Sequence, residues 1–102
     1  MDLFPKFIIE DDCLILAKVH FHYQLVNDKT KVKGGGWFSF DSEANTFVFY
    51  GDSTAFGAAK LDDIKKCINA GKVFTNRRMK CNISHLHKFV YKIGAEYFPI
   101  SQ

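Results

Sequence analysis

Apolar positions set the elements of this chain. Residues 6–10 (KFIIE) read as a short strand, and Asp11-Asp12 as the turn that closes it. From residue 13 to 25 the pattern alternates. Cys13, Ile15, Ala17, Val19, Phe21, Tyr23 and Leu25 fall on one face; Leu14, Leu16, Lys18, His20, His22 and Gln24 fall on the other. The first face is apolar throughout, whereas the second turns polar toward its end. This predicts one long strand whose far end emerges at a rim or a site.

Residues 27–33 are a polar loop. Residues 37–41 and 46–50 read as strands joined by a short hairpin loop, and 51–57 as a loop of small residues. Leu61, Ile64 and Ile68, with Cys67 beside them, repeat at helical spacing. Asp62 and Asp63 sit in the first turn, and Gly71 stands where a left-handed C′ residue belongs. Residues 72–74 can return as a strand. Residues 76–82 are a basic loop. Ile83, Leu86, Val90 and Ile93 fit a helix ending at Gly94, although 89–93 also fits a strand; 95–100 is extended, with Pro99 marking an edge or an end. The order predicts a single α/β domain over residues 1–102: a mixed or antiparallel sheet of about five to six strands flanked by one or two helices.

Composition agrees with one small packed core. The 102 residues are 47% hydrophobic and include eleven Phe. No apolar run is long enough to cross a bilayer, and the first residues lack a secretory pattern, so a soluble cytoplasmic protein is expected. Cys13, Cys67 and Cys81 form no close pair and read as reduced thiols. Charge is uneven. Residues 1–51 carry five Lys against seven acids, and residues 52–102 carry nine Lys or Arg against four acids. The basic half favours an anionic partner.

Candidate chemistry gathers around the glycines. Successive amides free of a Cβ can form an anion nest, and the 51–57 loop runs into a helix N-terminus, with the Ser53 hydroxyl as a further donor. The run Gly34-Gly35-Gly36, then residues 48–59 (VFYGDSTAFGAA), resembles the Janus family of protein histidine phosphatases, which carries GGG, a hairpin and a Tyr-Gly-x-Ser-x-Ala-Tyr-Gly-x-Ala loop leading to a helix. Residues 21–25 (FHYQL) are similar to the family's catalytic-histidine segment, and residues 5–9 (PKFII) to its first strand. The resemblance covers about residues 4–75, leaving 76–102 as an extension packed on the same domain.

The resemblance implies a Janus-like fold and a metal-independent phosphatase or phosphoamidase. His22 would be the catalytic base and Lys6 the phosphate clamp. Ser53 and Ala55 would line the pocket with their amides, Ser53 also with its hydroxyl, and Phe21 and Tyr23 beside the histidine would join them in binding the substrate phosphate. The substrate would be a phosphorylated protein or a small phosphorylated molecule, with phosphohistidine first. A neutral imidazole can take a proton from attacking water, and fixed donors can hold the phosphoryl oxygens. The family often has a basic residue after its glycines, where this chain has Trp37. The alternative is a non-catalytic module that binds an acidic or phosphorylated partner.

Other chemistries are weaker here. His20-x-His22 and His85-x-His87 could supply four imidazoles, but nothing fixes the pairs near each other, so no metal or cofactor is expected. Arg77, Arg78 and Lys80 form a basic patch without aromatics interleaved on one surface; alternation buries at least one of Trp37 and Phe38. Nucleic acid is therefore not the expected partner, nor is a membrane.

Overall fold

The computed structural model describes residues 3–75, 79–80 and 88–100. The chain runs β1 (Phe4–Glu10), β2 (Cys13–Val19), 3-10 helices at His22–Leu25 and Lys29–Lys31, β3 (Val32–Asp41), β4 (Thr46–Tyr50), α1 (Leu61–Asn69), β5 (Val73–Thr75), β6 (Met79–Lys80), β7 (Lys88–Ile93) and β8 (Glu96–Ile100). Seven strands of three or more residues, with two-residue β6 added at one edge, form one mixed sheet in the order β6-β5-β2-β1-β3-β4-β7-β8. The sheet curls into a half-barrel.

Local chemistry accounts for the hairpins. Asp11 and Asp12 take φ of 52° and 61°, the paired left-handed geometry of a tight β1–β2 turn. Asp41 Oδ1 accepts the Glu43 and Ala44 amides at 3.0 and 3.2 Å, which shapes the β3–β4 turn. Two connections are instead parallel: β5 returns beside β2 after α1, and β7 lies beside β4.

The sheet has two apolar faces of unequal size. On one, Phe7, Ile9, Leu14, Leu16, Phe49, Phe89 and Tyr91 pack with Ile64, Cys67 and Ile68 of α1. Burial pushes the Cys67 thiol up to about 12, as suits a core side chain. On the other, Ile8, Ile15 and Leu25 form a smaller cluster with Cys13, Ala17, Val19, Val26 and Val32 around it. Residues 20–32 make its roof.

The expected α/β domain with five to six strands and flanking helices is not what forms. Among the described residues the fold is mostly β, with one α-helix. The difference lies in the tail. Residues 88–93 are strand β7: Phe89 and Tyr91 point into the core, and Val90 and Lys92 point the other way. Gly94, at φ 61°, turns the β7–β8 hairpin rather than capping a helix. A strand between β4 and β8 pairs its backbone on both sides, which a surface helix could not do for those edges. Ile83 and Leu86, assigned to the same helix, lie outside the described residues, as do Cys81, His85, His87, Arg77 and Arg78. The long alternation from residue 13 also breaks. The strand ends at Val19, after which Phe21 and Tyr23 are exposed while His22 and Leu25 are buried. Among the described residues no helix is long and apolar enough to cross a membrane.

Candidate functional site

The break after Val19 places the histidine. Gln24 Oε1 accepts both the His20 and Phe21 amides at 2.8 Å, and the Gln24 amide donates to the Phe21 carbonyl at 3.1 Å. These bonds wind residues 22–25 into a 3-10 turn and swing His22 onto the sheet. Its ring lies over Gly35, where an added Cβ would stand 3.3 Å from His22 Cδ2 and 2.5 Å from the Phe7 carbonyl oxygen. Bare backbone at Gly35 is what lets the imidazole come this close.

His22 is 8% exposed and its Nε2 lies 2.7 Å from the Gly36 carbonyl oxygen. A carbonyl only accepts, so Nε2 carries the proton. In the neutral ring Nδ1 is then the basic nitrogen. Nδ1 has no hydrogen-bond partner among the described residues, and no buried side-chain nitrogen or oxygen is left unpaired, so Nδ1 reaches solvent. Burial lowers the His22 pKa below its ordinary 6.5; the Gly36 hydrogen bond opposes this, the Lys6 charge adds to it, and the Asp52 charge opposes it. The ring is therefore held neutral at pH 7.

Lys6 is 8% exposed and points to the same side. Its Nζ donates to the His20 carbonyl at 2.7 Å. Aromatic rings supply the rest of its surroundings: the Nζ lies 4.9 Å from the centroid of Trp37, 5.8 Å from Phe4 and 5.9 Å from Phe21. No carboxylate pairs with it; the single ion pair among the described residues joins Lys33 to Asp12. An ammonium with two spare N–H donors thus stands beside a neutral imidazole.

The loop of small residues reaches the same place. The Gly35 amide donates to the Gly57 carbonyl at 3.0 Å, and Gly34 passes directly beneath Ala58 and Ala59. Gly51 lies against the Trp37 ring, where a Cβ would come within 2.8 Å of Cδ1. The glycines of β3 therefore serve close approach of the loop and the histidine to the strand.

Within that loop the expected phosphate donors are partly used. The Ser53 amide donates to the Gly57 carbonyl at 3.2 Å, and Gly57 returns a bond to the Ser53 carbonyl at 2.7 Å. The Ser53 hydroxyl accepts the Phe56 amide at 3.3 Å and the residue is 3% exposed. Ala55 is exposed, and its amide has no acceptor among the described residues. Phe21 and Tyr23 stack at 5.4 Å on the rim, both exposed. His20 packs edge-on to Phe21. Among the described residues no three His, Cys, Asp or Glu side chains gather as metal ligands.

The motif resemblance named Lys6, His22 and Ser53 as site residues. It did not attach Trp37 to Lys6, nor Asp52 to His22. The signal for the first is the β1–β3 register, which sets Lys6 opposite Trp37.

Comparison with protein-family models, curated proteins and solved structures finds no match. The functional reading therefore rests on this geometry and on the motif resemblance.

Proposed function

We propose that the Lys6–His22 site binds a phosphoryl group and hydrolyses it, with phosphohistidine as the substrate class that the motif resemblance suggests. One observation carries this reading: Lys6 is a buried ammonium without a carboxylate, next to a histidine held neutral with Nδ1 open. A buried charge is costly unless an opposite charge meets it, and a phosphoryl oxygen would do so. His22 Nδ1 takes a proton from water as the water oxygen bonds to phosphorus. The P–N bond breaks, its electron pair stays on the leaving nitrogen, and that nitrogen is protonated. The free Ala55 amide and the Lys6 ammonium face the charge on the phosphoryl oxygens. Free thiols at Cys13 and Cys67 suit a cytoplasmic setting.

A binding module without turnover is the second reading. It is favoured by the Ser53 amide and hydroxyl being engaged inside their own loop, which leaves fewer donors for a transition state.

The test is phosphate release from a phosphohistidine peptide. His22→Ala should lower turnover by about 10²- to 10⁴-fold, and His20→Ala by far less. Lys6→Met should raise KM more than it lowers kcat. Wild-type turnover in His22→Ala would end the hydrolytic reading. Saturable phosphate binding with no release by the wild-type protein would establish the binding module in its place.

A further inference from the structure

The sheet carries a second arrangement beyond this site. Residue pairs line up across five neighbouring strands: Lys6 opposite Trp37, Trp37 opposite Tyr50, Tyr50 opposite Lys92, and Lys92 opposite Tyr97. Paired residues project to the same side, so these five side chains form one row across the sheet. At a strand spacing of about 4.8 Å the row is about 19 Å long, room for roughly three nucleotides. Its order is cation, aromatic, aromatic, cation, aromatic.

The row lies on the face opposite the α1 core. In β3, β4, β7 and β8 the core takes the alternate positions, Phe38, Phe49, Tyr91 and Phe98. Tyr97 is 58% exposed, and Trp37, Tyr50 and Lys92 are half-buried. A groove of about 350 Å³ borders the Tyr50–Lys92–Tyr97 part of the row, with Ser39 and Val48 completing its lining. The remaining charged positions on this face of the four strands are Lys88 and Asp41. With β1 included, Lys6, Lys88 and Lys92 stand on this face against Asp41 and Glu10, the latter occupied by the Asn27 and Asp28 amides.

We propose that this row binds single-stranded nucleic acid, with bases stacked on Trp37, Tyr50 and Tyr97 and phosphates against Lys92 and the Lys6 end. Flat rings beside ammoniums on an open sheet suit a strand that offers π-faces and phosphates in alternation. Charge complementarity sets the sign: the face is positive, as is the chain, at a formal net charge of +3. An acidic peptide would use the lysines but has no general need for the rings. The proposal does not rest on hydrolysis at His22.

Trp37 is the one tryptophan of the chain, so its fluorescence reports stacking directly. Oligothymidylate titrated into the full chain at low salt should quench it saturably. Tyr97→Ala, at an exposed position, should weaken binding by about tenfold. Lys92→Ala should reduce the slope of log affinity against log salt by about 0.7, and Lys92→Arg should restore it. Tyr97→Ala should release phosphate from the phosphohistidine peptide as the wild-type protein does while losing oligonucleotide affinity, which separates this outcome from the fate of the hydrolytic reading. Absence of quenching, binding unmoved by both Tyr97→Ala and Lys92→Ala, or equally tight binding of polyglutamate would each overturn the proposal.

Discussion

Over β1 and β2, the sheet face opposite α1 is roofed by residues 20–32; over β4, β7 and β8 no described element covers that same face. The roofed half buries Ile8, Ile15 and Leu25, and β1 fastens the roof at both ends. Glu10 Oε1 accepts the Asn27 and Asp28 amides at 2.6 and 3.2 Å, and Lys6 holds the His20 carbonyl. The uncovered half offers rings and ammoniums with little beneath the roof line to compete for them. The difference teaches where chemistry can sit. Apolar side chains close the roofed half to water, polar ones keep the other half wet, and His22, Lys6 and Trp37 lie at the seam. There a cation can be desolvated by the roof and still be met from outside.

Truncation should expose the contrast most strongly. Leu25→Ala under the roof should cost about 2–5 kcal/mol of stability, whereas Val48→Ala on the uncovered half should cost about 1 kcal/mol. Denaturant unfolding of both variants measures this, and equal costs would mean that the two halves are packed alike. Next comes the fastening. Glu10→Ala strands two amides and should cost about 1.5–3 kcal/mol. Its phosphate affinity should fall as well, because the roof carries His22; full stability would show that Leu25 holds the roof alone.

The seam itself yields smaller effects. Gly35→Ala should cost about 1–3 kcal/mol, since the Phe7 carbonyl and the His22 ring both stand where the methyl would go. The His22 proton resonances should shift in that variant, and unshifted resonances would count against contact at Gly35. The smallest effect is on pH dependence. The His22 pKa is lowered in the folded state, so the unfolded chain binds the proton more readily. Stability should be level above pH 6.5 and decline gently as pH falls from there through the folded pKa. Phosphate release should follow the same neutral form, rising with pH through a pKa that lies below 6.5 and then levelling off. A histidine titration by NMR that places the His22 pKa above that value would reverse the stability curve and move the rise in phosphate release to higher pH.

Much was legible in local pattern. Alternation and turn chemistry marked β1, β2, β4, the later part of β3, α1 and the strand after it, because each has a period or a cap written in adjacent residues. Lys6, His22 and Ser53 were named through the motif resemblance. The clash-free glycines also stood out as GGG, though their use did not: anion binding and close packing both call for a missing Cβ.

What tertiary structure decided lies between distant residues. Whether residues 88–93 become helix or strand depends on the edge that β4 presents, and both periods fit their apolar positions. That parallel insertion places Lys92 and Tyr97 in line with Trp37, a register no nearby turn specifies. The end of β2 at Val19 was likewise not written in its alternation. After it the chain turns back and buries Leu25 over Ile8 and Ile15, a contact between residues distant in sequence. The composition of this chain determined that it has enough apolar material to pack and a basic balance. Only packing decided which face stayed open, because that depends on what each strand finds beside it.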